Sequence, residues 1–160
     1  MSDGTVLVRI LVAAALGGIV GIERQLRDQP AGFRTHILLS VGSALFTIVG
    51  AFGFGAFIGE AKTVQLQGDP TRVAAQIVAG IGFLGGGAIL KYGPTVRGLT
   101  TAASLWVTAA IGMAVAMGFY FGATATALVA VFTLAGLKPV EKRFLRRGNG
   151  APQPPTVPPD

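Results

Sequence analysis

The chain has 160 residues and a net charge of +6; 51% of it is apolar, 12% is charged, and its mean hydropathy is +0.64. Soluble domains carry about 25% charged residues, so a small water-soluble fold is excluded for want of polar surface, and an integral membrane protein remains. The 24 glycines follow no triplet period, which excludes collagen. The lack of cysteine excludes disulfide scaffolds, thiolate metal sites and cysteine nucleophiles.

A bilayer core of about 30 Å asks for roughly 20 apolar residues per helix. Five stretches qualify in chain order. Val6–Ile22 is short and carries Arg9, which can snorkel. Ile37–Ile58 holds no charge. Val73–Leu90 is interrupted among polar side chains only by Gln76. Leu99–Ala116 carries Thr100, Thr101, Ser104 and Thr108, and Phe119–Leu137 follows it almost at once. Met117-Gly118 is therefore either a very tight turn or a break within one long helix, which would leave four spans. The runs do not alternate, so membrane β-strands are excluded. The expectation is an all-α, polytopic transmembrane helix bundle of about five spans over residues 1–137.

Basic residues set the orientation. With five spans, Arg24, Arg27, Arg34, Lys91, Arg97, Lys138, Lys142, Arg143, Arg146 and Arg147 share one side, against Lys62, Arg72 and Arg9. That places the N-terminus outside and the C-terminus in the cytoplasm. Met1–Thr5 has an acid and no base, which argues against a cleaved signal peptide. Residues 138–160 read as a basic stub on the lipid surface followed by a disordered tail, since Gly148–Asp160 holds five of the nine prolines.

Small residues recur four apart at Gly17/Gly21, Gly55/Gly59, Gly82/Gly86 and Gly118/Gly122, a spacing that lets helix backbones approach closely in lipid. They are expected to pack this bundle or a homo-oligomer. Gly80-Ile81-Gly82-Phe83-Leu84-Gly85 matches a dinucleotide-binding pattern, but no strand precedes it and no acid follows at the required distance. Gly80, Gly82, Gly85 and Gly87 read instead as a thin packing face, or as a break lining a substrate path.

Asp69-Pro70 has the chemistry of a helix start. Asp69, Arg72 and Gln76 share one face, so they are equally an outer polar face, with Gln76 bonding across the bundle and Asp69 the candidate Mg²⁺ ligand. At the cytoplasmic ends, Glu23, Arg24, Arg34, Thr35, Arg97, Thr100 and Thr101 converge. Two helix N-termini beside arginines would suit a phosphate, a lipid headgroup or an acidic partner. Glu23 is expected to pair with Arg34 or Arg97, and Thr100 and Thr101 to cap the fourth helix or bond back to it. His36 reads as interfacial, and Trp106 as packed on a neighbouring helix. With one histidine, no cysteine and no evident base near Ser104, no catalytic set is expected.

Four ordered motifs then carry a resemblance. They are Gly21-Ile22-Glu23-Arg24-Gln25, Ala31-Gly32-Phe33-Arg34-Thr35-His36, the run from Asp69-Pro70-Thr71-Arg72 to Gly85-Gly86-Gly87, and Arg97-Gly98-Leu99-Thr100-Thr101 with Trp106 beyond. Over residues 5–137 the chain resembles the MgtC/SapB family of bacterial inner-membrane proteins. The resemblance implies a multi-pass domain of about five helices, N-out and C-in. It also implies adaptation to low magnesium and, in pathogens, survival inside macrophages. Family partners it implies include ATP synthase or a phosphate transporter; no nucleic acid is expected. Several members continue into a folded cytosolic domain, where this chain has only its stub and tail.

Two functions follow. A cation pathway would have to borrow carboxylates from neighbouring subunits as a ring of Asp69 or Glu23. A regulator of another membrane complex needs only the helix faces and the basic surface, and is the favoured expectation.

Overall fold

A computed structural model describes residues 1–53 and 69–144. The first helix, α1, runs Asp3–Leu26; its N-cap Ser2 accepts from the Thr5 N–H at 3.4 Å. Helix α2, Phe33–Ile48, continues through a π-helical turn, Val49–Gly53. Helix α3, Pro70–Ala88, begins as its sequence predicts, with Pro70 in the first turn and Asp69 as the cap. It stays helical through the glycine run, so the alternative of a break there is not realised.

A short antiparallel hairpin, β1 (Leu90–Tyr92) and β2 (Thr95–Arg97), then interrupts the helices, with Leu90 opposite Arg97 and Tyr92 opposite Thr95. Its two-residue turn pairs Gly93 at φ +57° with Pro94, the order of angles that a type II′ turn needs. Helix α4 spans Leu99–Ala116 and α5 spans Tyr120–Phe144. Between them lies the tight turn rather than one long helix. Gly118 takes φ +84°, its N–H reaches the Val115 carbonyl at 3.0 Å, and the Phe119 N–H reaches Ala114 at 2.9 Å. Both bonds belong to a Schellman cap.

Helix α4 is the hub: α1, α2, α3 and α5 all pack on it. Helix α1 lies along α2 through Gly17 and Gly21, where an added Cβ would sit 2.6 Å from Ser40 Cβ and 2.8 Å from Phe33 Cα respectively. The apolar core is made largely of small or β-branched residues, among them Ala13, Val20, Ala44, Ile111, Val115, Ala123 and Ala127. Large apolar side chains, such as Phe46, Phe83, Phe121 and Phe132, point outward. That inside-out distribution suits lipid, where helices associate by close packing rather than by hiding apolar surface.

Among the described residues, four helical stretches are long and apolar enough to cross a membrane: Asp3–Leu26, Phe33–Gly53, Leu99–Ala116 and Tyr120–Leu137. The helix of the expected third span, α3, is not among them on this measure. Helix α3 forms, but Thr71, Arg72, Gln76 and the glycines dilute its hydropathy, and Leu90 leaves it for a strand. Helix α5 runs through the expected boundary at residue 137 without a break. Gly55, Gly59, Lys62 and the end of the expected second span lie outside the described residues, as do residues 145–160.

Candidate functional site

The ends of α1, α2 and α4 enclose a buried polar cluster. Arg24, on the last turn of α1, is only 3% exposed, and its Nη2 donates to Thr101 Oγ1 at 3.0 Å and Gln29 Oε1 at 2.9 Å. Glu23 beside it is buried and paired with Arg27 one turn on; Arg27 in turn donates to the Ala135 carbonyl on α5 at 3.1 Å. The expected pairing of Glu23 with Arg34 or Arg97 is therefore replaced by a local i, i+4 pair, which needs no reach between helices. Among the described residues, Arg9 Nε, Glu23 Oε2, Arg24 Nε and Ser40 Oγ are buried without a hydrogen-bond partner.

His36 is the largest correction. It is 0% exposed, seated among α1, α2 and α4 rather than at an interface with headgroups. Its Nδ1 lies 2.8 Å from the Gly32 carbonyl, which can only accept, so Nδ1 carries a proton. Its Nε2 lies 3.2 Å from Ser104 Oγ, which is also 2.8 Å from the Thr101 carbonyl, so the two acceptors compete for the one hydroxyl proton of Ser104. A serine and a histidine thus meet where the sequence offered no evident base. Both are buried, and the pair ties α2 to α4.

This cluster continues as two facing stripes. On α2 they are His36, Ser40, Ser43 and Thr47; on α4 they are Thr101, Ser104 and Thr108, with Gly112 next. Thr47 and Thr108 donate to carbonyls four residues back at 2.7 and 2.8 Å, which satisfies them within their own helices. The spacings of four, three and four, then three and four, are the helical period, and that signal was present in the sequence. Thr100 is exposed, and α4 is capped by the backbone of Gly98 rather than by a threonine side chain.

On the other side of α2 a lateral groove of about 940 Å³ runs between α2 and α3. Arg34 and Thr35 stand at one end with Gly87, and Phe46, Val73 and Gln76 toward the other. Gly42 and Gly80 also line it. A Cβ on Gly42, Gly80, Gly82 or Gly87 would meet nothing within 4 Å, whereas one on Gly85 would touch Ala102 at 3.6 Å. Of the four glycines expected to pack helices, only Gly85 does so among the described residues. Gln76 lines this groove, and among the described residues it makes no bond across the bundle. Trp106 is 53% exposed and lines a small cleft with Val78 and Ile81 of the neighbouring α3.

At the far end of α3, Asp69 Oδ1 accepts from the Thr71 N–H at 2.9 Å and its hydroxyl at 2.6 Å, and Arg72 Nε stands 3.6 Å from Oδ2. The Thr71 hydroxyl and N–H, with a smaller contribution from Arg72, hold the carboxyl below its usual range. Both oxygens are thus engaged by the helix they start. Arg72 is exposed. Arg9 reaches the Ala116 carbonyl at the C-terminal end of α4 and lies over the Phe52 ring at 5.8 Å, so it caps a helix dipole rather than only snorkelling. Lys91 and Arg97 are exposed on the hairpin, with Arg97 over the Tyr92 ring at 5.8 Å. No group of three or more acidic or histidine ligands that could hold a metal occurs among the described residues.

The family model described as "MgtC family" matches residues 10–143. The "Putative magnesium transporter YhiD" of Escherichia coli K12 is 48% identical over 127 residues, covering 77% of this chain and 58% of that protein. "Protein MgtC" of Brucella abortus is 42% identical over 140 residues, covering 85% of this chain and 54% of that one. The chain thus spans a little over half the length of these curated relatives. No solved structure matches.

Proposed function

The chain belongs to the MgtC family, and from that premise we propose that this magnesium-related membrane protein regulates other membrane complexes rather than conducting Mg²⁺ or catalysing a reaction. The observation that carries this reading is the cation fixed inside the bundle. Arg24 is buried and bonded to Thr101 and Gln29, while the one acid beside it is already paired with Arg27. Two guanidinium groups against one carboxylate leave a positive centre, which repels a divalent cation strongly where water is scarce.

The protein then sits in the bacterial inner membrane, N-out and C-in, as a homo-oligomer that adapts the cell to low magnesium and, in a pathogen, to the macrophage. The exposed, basic hairpin Lys91–Arg97 is its docking surface on the cytoplasmic side, and ATP synthase or a phosphate transporter is the class of partner. Asp69, exposed and held ionised, favours the second reading, an oligomeric cation pathway with a ring of Asp69 at its outer mouth.

Mg²⁺ flux into proteoliposomes separates the two. The regulator gives no flux above empty vesicles, with or without a membrane potential, and Arg97→Ala loses the crosslinked partner. Flux that disappears in Asp69→Asn would establish the pathway and end the regulatory reading.

A further inference from the structure

We propose that the groove between α2 and α3 is a binding site for one anionic phospholipid, with its phosphate at Arg34 and Thr35 and an acyl chain along the glycine-lined wall. The lining is apolar apart from Arg34, Thr35, Ser43 and Gln76, and it opens sideways, toward where lipid lies. From Arg34 to Phe46 the groove follows α2 for twelve residue steps, about 18 Å at 1.5 Å per step. One leaflet is half of the roughly 30 Å hydrocarbon core, so the groove matches the length of one leaflet's chains. Its width comes from the glycines: both walls lack side chains at Gly42, Gly80 and Gly87, and nothing described fills the space.

The end of the groove is built for an anion. Arg34 is exposed and has neither a carboxylate nor a hydrogen-bond partner among the described residues. The α2 N-terminus beside it has Gly32 as its cap, with no side chain to satisfy the first N–H groups, and its dipole adds positive potential. Charge also decides between occupants. The same end of the bundle carries Lys91 and Arg97 on the hairpin that follows α3. A second copy docked in parallel through this face would set cation against cation, whereas a phospholipid supplies the missing negative charge.

The test is native mass spectrometry of the full chain released from vesicles of equal parts phosphatidylglycerol and phosphatidylcholine. The expected result is a one-lipid adduct favouring phosphatidylglycerol about fivefold, the preference one arginine near a headgroup confers. Arg34→Gln keeps the adduct and loses the preference. Gly80→Leu, at a position where a Cβ meets nothing within 4 Å, fills the groove and loses the adduct with helicity unchanged; Gly42→Leu serves the same purpose if Gly80→Leu does not fold. Inorganic phosphate at millimolar concentration leaves the adduct in place; displacement by it would identify a phosphate site and overturn the lipid. A dimer lost in Gly80→Leu, or an adduct indifferent to headgroup and to both variants, would also overturn the proposal. None of these readouts depends on whether the protein regulates or conducts.

Discussion

Identical glycine-to-alanine substitutions should have opposite signs on α1 and on α3. Gly17/Gly21 and Gly82/Gly86 are the same motif, two glycines four apart in an apolar helix. At Gly17 an added methyl would lie 2.6 Å from Ser40 Cβ and 2.7 Å from the His36 carbonyl; at Gly21 it would lie 2.8 Å from Phe33 Cα. These atoms belong to the α2 backbone or sit one bond from it, so the two helices must separate. Overpacking of this kind costs about 1–3 kcal/mol. The intrinsic gain of alanine over glycine within a helix is about 0.5–1 kcal/mol, so the net loss is on the order of 1–2 kcal/mol per site. At Gly82 and Gly86 the methyl meets nothing within 4 Å, and only the helix gain of about 0.5–1 kcal/mol remains. Reversible unfolding in mixed detergent micelles, followed by far-ultraviolet circular dichroism, measures both. Gly17→Ala and Gly21→Ala should lower the midpoint, and Gly82→Ala and Gly86→Ala should hold or raise it. Shifts of the same sign at both pairs would refute the packing argument.

Thr101→Val keeps the shape of the side chain but takes one acceptor from the buried Arg24, so it should destabilise the bundle by about 1–3 kcal/mol in the same unfolding assay. Gly98→Ala should be worse than any alanine on α3. Its Cβ would run into the Ala88 carbonyl at a φ of +89°, and the expected sign is loss of the hairpin's amide protection in hydrogen exchange. Asp69 is predicted to titrate below its ordinary value of 3.8 because the ionised carboxylate accepts from Thr71. A depressed folded pKa means that the cap contributes fully above 3.8 and is lost as pH falls through the lower, folded value. A carbon-13 titration of the Asp69 carboxyl with a midpoint at or above 3.8 would contradict that assignment.

Much of this was legible in the sequence, and the boundary between legible and hidden has a physical origin. Helix starts were local events. Asp69-Pro70 specifies a cap through atoms within two residues of each other, and it forms as expected. At Met117-Gly118 two adjoining apolar runs left a tight turn and one broken helix both open, and Gly118 at φ +84° makes the turn. The short hairpin was hidden because Lys91 and Arg97 look like ordinary basic flanks, although Gly93-Pro94 was the turn signal to weigh. Glycine pairing was ambiguous for a deeper reason. The spacing says that a face is thin, but not whether anything lies against it, and only the packing distinguishes Gly17 from Gly82. Alone, His36 carries only the signal of a polar residue following Arg34-Thr35 at a span end. Taken with Ser40, Ser43 and Thr47 it is the head of a polar stripe, and a stripe at helical period in an apolar span must face protein.

That stripe explains why α2 and α4 meet in one register. In lipid, apolar side chains gain little by facing one another, so a helix pair with only alanines and valines between them could slide or rotate at small cost. His36 has two fixed ring nitrogens. One is held by the Gly32 carbonyl, so the other points at Ser104 and at no other turn of α4. Arg24 does the same for α1, through Thr101 three residues earlier on α4. One turn of α4 is therefore addressed from two neighbours at once, and Gly112, whose Cβ would strike the Ser40 carbonyl, fixes the separation two turns further on. Helix α3 has no comparable polar tie to α4: among the described residues its contact is carried by small and apolar side chains such as Gly85 and Ile81. The rigid polar core and the open groove are thus two sides of one arrangement, in which α2 is pinned on the face toward α1 and α4 and left uncovered on the face toward α3.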